Sequence, residues 1–167
     1  VGVDLKGEPL EKSVARISKF EYDGAEFVGE PAKMDTREIN RLLRKYNLKA
    51  SSICPIYSSE RDFISSNEKT RKAAIQYTKE VAKMASEIGA KVFTVGPASA
   101  CMKIHSEAPF DKEWSWAVQG LREAGTYAAD LGVSLAIEPW NRYETYFINR
   151  LEQALKLMKE VNIENVK

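Results

Sequence analysis

The sequence holds one histidine, His105, in 167 residues, and two cysteines, Cys54 and Cys101. A single imidazole excludes a site built on several histidines within these residues. Two cysteines are too few for a secreted disulfide framework, and this pair lacks the close spacing of a zinc knuckle, so both are expected as reduced thiols. No apolar run approaches the roughly 20 residues needed to span a bilayer, and no basic-apolar-small leader pattern is present. The expectation is a soluble, cytoplasmic protein with no membrane partner. Neither sign of charge is in excess: 25 basic residues face 24 acidic ones, a formal net charge of +1. No whole-molecule field favours nucleic acid, and the expected partner is small or neutral. Phosphate-cradling glycine patterns are missing too, since neither G-x-G-x-x-G nor G-x-x-x-x-G-K occurs.

What is present suffices for a core. Hydrophobic residues make up 44% of the chain, and the length predicts one domain over residues 1–167. Apolar spacing predicts five helices alternating with about four short strands. Leu10, Val14 and Ile17 form the first helical stripe, followed by a turn at Tyr22-Asp23-Gly24 and a strand over 25–28. Asp35 and Glu38 make a capping box for a helix with Ile39, Leu42, Leu43 and Tyr46 inward, before a strand over 49–54. Ala74, Tyr77, Val81, Met84, Ala85 and Ile88 line a long helix that Gly89 ends, leading to a strand over 91–95. The aperiodic stretch 96–111 is expected as a long loop at that strand's C-terminal end, where long loops tend to carry function. Ala117, Leu121, Ala124, Ala128 and Leu131 line the fourth helix, a strand follows over 133–137, and Asn149 and Glu152 are expected to cap a last helix with Leu151, Leu155 and Met158 inward.

Strict alternation predicts a parallel sheet with right-handed crossovers, and the missing glycine fingerprint favours a barrel over a doubly wound sheet. A full (β/α)8 barrel takes about 250 residues. The expectation is therefore a partial TIM barrel lacking the first strand and the C-terminal strands, with residues 1–6 as a loop and a further strand called for at Asn165-Val166-Lys167.

The most informative stretch is 134–145, where an apolar run ends in Glu138 and Pro139. Proline has no amide hydrogen, so the ladder stops beside Glu138 and the carboxylate stands at the strand's C-terminal mouth. Ligands and catalytic groups gather at that edge of parallel α/β sheets. The structural alternative is a glutamate that caps the next helix or pairs with a surface cation.

The thirteen residues Glu138-Pro139-Trp140-Asn141-Arg142-Tyr143-Glu144-Thr145-Tyr146-Phe147-Ile148-Asn149-Arg150 closely resemble the segment after the fifth strand of ketose 3-epimerases, the D-tagatose and D-psicose 3-epimerase family of xylose isomerase-like barrels. Weaker likenesses run through Tyr22-Asp23-Gly24-Ala25-Glu26 and Asp62-Phe63. The resemblance implies a sugar epimerase that moves a proton at C3 of a ketose through an ene-diolate, using two carboxylates on opposite faces and a divalent cation, Mn²⁺, Mg²⁺ or Co²⁺, as Lewis acid. It implies that Glu138 is both metal ligand and acid/base, that Glu144 contacts substrate hydroxyls and that Cys54 lines the pocket. The family's remaining metal ligands, an aspartate, a histidine and a second glutamate, lie on later strands that this sequence does not contain. The expectation that follows is an internal piece of a longer barrel, inactive alone.

Other residues carry competing readings. Trp140 can stack on a sugar or pack in the core. Glu144 can pair with Arg142 or Arg150, and Asn141 and Arg142 can hold the loop's shape. Cys54 can be a small buried hydrophobe, and His105 a surface residue. Trp114 and Trp116 open a helix, where one would cover the barrel rim. Glu26 and Glu30 face the same mouth as Glu138. The alternatives in function are another xylose isomerase-like enzyme, such as an inosose dehydratase or a hydroxypyruvate isomerase, and a non-catalytic partial barrel that pairs its open strand edges with another copy. An open sheet with apolar inner residues leaves them uncovered, and a homo-oligomer is expected on that ground.

Overall fold

The computed structural model describes residues 2–3, 7–99 and 103–167, with the side chains of residues 2 and 3 excepted; Cys101 lies outside them. In chain order the elements are β1 (Gly2–Val3), α1 (Leu10–Lys19), β2 (Gly24–Gly29), α2 (Thr36–Lys45), β3 (Lys49–Pro55), α3 (Glu68–Ile88), β4 (Val92–Val95), α4 (Phe110–Asp130), β5 (Ser134–Ile137) and α5 (Leu151–Val161). All strand pairs are parallel and the order is β1-β2-β3-β4-β5. An order that never reverses is a barrel wall; a doubly wound sheet switches direction at its binding crevice. The partial (β/α)8 architecture with five helices stands.

One detail differs. Residues 2 and 3 pair with Glu26 and Phe27 as β1, where the sequence predicted a loop. A two-residue strand is too short to carry a period, and only its pairing defines it. At the other end, Leu135 N–H donates to Asn165 at 2.8 Å and Lys167 N–H donates to Leu135 at 2.7 Å. Residues 165–167 thus line up beside β5 where the alternation calls for a strand.

Local chemistry sets the element ends. Asp35 accepts the Arg37 N–H at the start of α2, but Glu38 turns to Arg41 instead of back to the cap, so only half of the expected box forms. Gly89 ends α3 at φ 79°, a left-handed conformation that suits a residue without Cβ. For α5 the expected caps are replaced: Gln153 accepts the N–H groups of Asn149 and Arg150 at 3.0 and 3.1 Å, while the Asn149 side chain serves the preceding loop. The inward face of α5 also differs, with Ala154, Leu157 and Val161 buried and Leu151 76% exposed. Two apolar stripes, 151/155/158 and 154/157/161, overlap on this helix. Periodicity cannot choose between them, and packing against α4 does.

The core lies between sheet and helices. Ala25, Phe27, Ile53, Phe93, Val95 and Leu135 point to the helices and are buried. The opposite sheet face carries Glu26, Ser52, Cys54, Thr94, Ser134 and Ala136, partly or fully exposed. The sequence reading expected apolar inner residues that penalise an open sheet. Apart from Val28 and Val92, both partly exposed, the inner face is instead small and polar, which reduces that penalty. Among the described residues no helix is long and apolar enough to cross a membrane.

Candidate active site at the strand ends

Strand register assembles the inner face. Glu26 on β2 stands beside Ser52 on β3, Val28 beside Cys54, and Thr94 on β4 beside Ala136 on β5. Two residues beyond Ala136, Glu138 continues the inward alternation, and its N–H still donates to Val95 at 3.0 Å. Its carboxylate is exposed and, among the described residues, makes no hydrogen bond or ion pair, caps no helix and meets no surface cation. Glu26 accepts the Ser52 hydroxyl at 2.7 Å.

Cys54 joins these groups. It is exposed rather than buried, which overturns its reading as a small core hydrophobe: alternation on β3 turns Ile53 to the helices and Cys54 to the open face. Partial desolvation by the strand ends, then the charges of Glu26 and Glu138, push its thiol pKa up, against a lowering hydrogen bond with Thr94. The thiol therefore stays protonated at neutral pH, and both carboxylates are close enough to be felt at its sulfur. Glu30, by contrast, is tied to Arg61, whose guanidinium lies 4.0 Å from the Tyr77 ring centroid. Tyr77 donates to Gly29 and accepts the Ile56 N–H at 2.8 Å, and burial pushes its hydroxyl up to about 12.

The segment after β5 folds back on itself. Asn149 Nδ2 donates to the carbonyls of Trp140 and Thr145, both at 2.8 Å, and Trp140 N–H donates to Ile148 at 3.0 Å. Glu144 is half-buried and accepts Asn141 Nδ2 at 2.6 Å; neither Arg142 nor Arg150 pairs with it. Asn141 Oδ1 also accepts the Tyr143 N–H at 2.9 Å, so Asn141 holds the loop's shape. Trp140 is half-buried over the end of β4, where a Cβ on Gly96 would lie 2.0 Å from its ring. Gly96→Ala is expected to lose about 1–3 kcal/mol by overpacking and to displace Trp140. Urea denaturation followed by tryptophan fluorescence checks this, and an unchanged midpoint and emission would contradict the packing.

The remaining candidates sit elsewhere. His105 is exposed in the loop after β4. Trp114 is buried against Phe110 and Phe147 and donates to Glu160 at 2.7 Å, and Trp116 lies under Arg71 at 4.1 Å. Three residues whose contacts were unforeseen from the sequence hold the mouth together. Lys103 pairs with Asp62 at 2.7 Å across two loops, both side chains almost fully buried, and Glu113 on α4 is wholly buried. Glu113 stands four and eight residues before the core positions Ala117 and Leu121, and that spacing was the available signal. The larger surface depressions, about 680 Å³ beyond the end of α5, about 500 Å³ beside the ends of α1 and α2 and about 480 Å³ between the start of α2 and α3, lie away from the inner face. The candidate site is an open trough, and its chemistry rather than its depth marks it.

An all-parallel wall with its strands in sequence order, helices on one side and a carboxylate at a strand's C-terminal end is the wall of a (β/α) barrel with polar groups at its mouth. A family model described as xylose isomerase-like TIM barrel matches residues 14–167, and the chain belongs to that family. It is 26% identical over 160 residues to a ketose 3-epimerase of Arthrobacter globiformis, covering 95% of this chain and 55% of that protein. It superposes on the crystal structure of 3-keto-D-glucoside 4-epimerase from E. coli with a TM-score of 0.87 at 20% identity, covering 98% of this chain and 64% of that one. With D-allulose 3-epimerase from Methylomonas sp., solved in complex with D-allulose, the TM-score is 0.86 at 23% identity, over 93% and 54% of the two chains. The chain spans about half the length of the curated relatives it matches end to end.

Proposed function

We propose that this chain forms one wall of the active site of a sugar epimerase that inverts C3 of a ketose, with Glu138 as one of the two groups that move the proton. The observation that carries the reading is Glu138 itself: an exposed carboxylate at the end of β5, without a partner among the described residues, on the face shared by Glu26 and Cys54. A carboxylate so placed takes the proton from the carbon beside the carbonyl and holds it as an acid, while the electron pair moves into the ene-diolate. Return of a proton to the opposite face inverts the centre and requires a second group across the sugar. Glu144, Trp140 and Cys54 are assigned to the substrate: Glu144 to hydroxyls, Trp140 to a sugar face, and the protonated Cys54 thiol to the pocket wall without a nucleophilic role. The free thiol accords with a reducing, cytoplasmic setting.

A divalent cation, Mn²⁺, Mg²⁺ or Co²⁺, would supply Lewis-acid stabilisation of the ene-diolate. The described residues do not form its site. Glu138 is a single donor, and among the described residues no group of three or more His, Cys, Asp or Glu is arranged to hold an ion. The proton chemistry above therefore stands on the carboxylate alone, and a cation enters only with donors from beyond these residues.

Incubating the whole protein with D-fructose, D-tagatose and D-psicose in the presence of each cation tests the reading. The expected result is interconversion at C3. No isomer from any ketose would overturn it. The reading includes a homo-oligomer, supported by apolar side chains along both ends of the wall, Phe20 and Tyr22 beside α1 and Leu151 and Leu155 on α5. Light scattering that shows a monomer at high concentration would contradict that part.

A further inference from the structure

We propose that Glu113 is a positioning residue for the segment 138–150, fastening it to the long loop after β4. Glu113 is fully buried yet belongs to none of the ion pairs among the described residues. A buried carboxylate without a cation costs several kcal/mol unless hydrogen bonds compensate it, and here every bond it accepts comes from a loop at the mouth. Oε1 accepts the N–H groups of Glu107 and Ala108 at 2.8 and 3.2 Å, and Oε2 accepts the Tyr146 hydroxyl. The helix thus grips two loops with one side chain.

The grip continues toward Glu138. Tyr146 N–H donates to Lys103 at 3.1 Å, and Lys103 bridges Thr145, which is buried. Thr145 and Trp140 share the Asn149 side chain, so fixing residues 145 and 146 fixes the arc that carries Trp140 and Glu144. Burial, then the bond to Glu113, raises the Tyr146 pKa, so its hydroxyl keeps the proton that it donates. Stability alone does not ask for this arrangement, since apolar replacements of buried charges are often neutral or better. A buried acceptor that takes three bonds from two loops aligns them, because leaving any of these bonds unmade would strand a buried polar group.

The purpose assigned to this grip rests on the reading of 138–150 as the sugar-facing wall, but its test uses no catalysis. Glu113→Gln keeps the shape and one acceptor oxygen for the Glu107 and Ala108 N–H groups. Its amide then donates toward Tyr146, whose hydroxyl must reverse to accept. Tyr146→Phe removes the same bond from the other side, leaving Oε2 without its donor while Oε1 keeps the Glu107 and Ala108 N–H groups, and decides the matter if the first variant does not fold. Amide hydrogen exchange on the full chain is expected to quicken at Trp140, Thr145 and Tyr146 by about tenfold in both variants, with Phe27, Ile53 and Phe93 within about twofold of wild type. The double variant should exchange no faster than either single one. In 5-fluorotryptophan-labelled protein the ¹⁹F resonance of Trp140 should move in both variants and that of Trp116 should stay. Uniform acceleration through every strand, or unchanged exchange over 140–149, would overturn the proposal. Such a result would leave the epimerase reading untouched, just as an inactive whole protein would leave the grip intact.

Discussion

Glu138→Gln in the whole protein is expected to lower ketose epimerisation by about 10²–10⁴-fold, the range supplied by a positioned general acid or base. Glutamine keeps the size and one oxygen of the side chain but has no basic site that can take a proton from carbon. The same change should leave stability within about 0.5 kcal/mol, because an exposed side chain without partners among the described residues contributes little to the folded state. Both halves matter. A mutant that loses activity and stability together would show that the Glu138 side chain supports the strand end, against the absence of side-chain hydrogen bonds to the described residues. A mutant that retains most of its rate would remove Glu138 from the chemistry. Initial rates with saturating ketose, alongside urea denaturation of the two proteins, separate these outcomes.

Glu138 was legible in the sequence because three local signals coincide: an apolar run, a carboxylate and a proline that stops the ladder. The barrel wall was legible for a similar reason, since β2 to β5 and the helices between them each carry enough apolar residues to show a period, and Gly89 marks a stop that the backbone uses. What the sequence hid depends on neighbours distant in the chain. Two residues of β1 show no pattern until β2 lies beside them. The buried stripe of α5 is chosen over its equal by packing against α4. Cys54 resembles a core residue in composition, and only the strand's alternation turns it to the open face. Asp62 and Lys103 are 41 residues apart, and charges in two loops give no local hint that they meet. Glu113 was hidden for the opposite reason: its stripe was visible, but a carboxylate on it reads as the end of the stripe.

Lys103→Met is expected to cost about 3–5 kcal/mol, the loss that follows when one member of a buried ion pair is removed. Asp62 and Lys103 are only 3% and 7% exposed, and Asp62 also receives the Ile64 N–H at 2.9 Å. Burial raises the Asp62 pKa even with the lysine beside it. A carboxyl whose pKa is raised on folding favours the native state most at low pH, and that contribution declines as the pH climbs through the raised value. Removing the lysine raises the pKa further, so the variant should lose less stability near pH 4 than near pH 7.5. Glu107, the lysine's other partner at 3.0 Å, works in the opposite sense. The N–H of Ser66, followed by the Lys103 and Ser66 side chains, holds it down at about 2 against burial, so its contribution is present above its ordinary value of 4.5 and fades as the pH falls toward 2. It is 43% exposed, so solvent screens this opposing effect. Asp62→Asn combined with Lys103→Met leaves an acceptor for Ile64 and no buried charge at this pair, and should recover most of the loss at pH near 7.5. Urea unfolding of the three proteins at both pH values tests the argument. If the double variant were as unstable as Lys103→Met alone, the cost would come from lost packing of the lysine stem and not from a stranded charge.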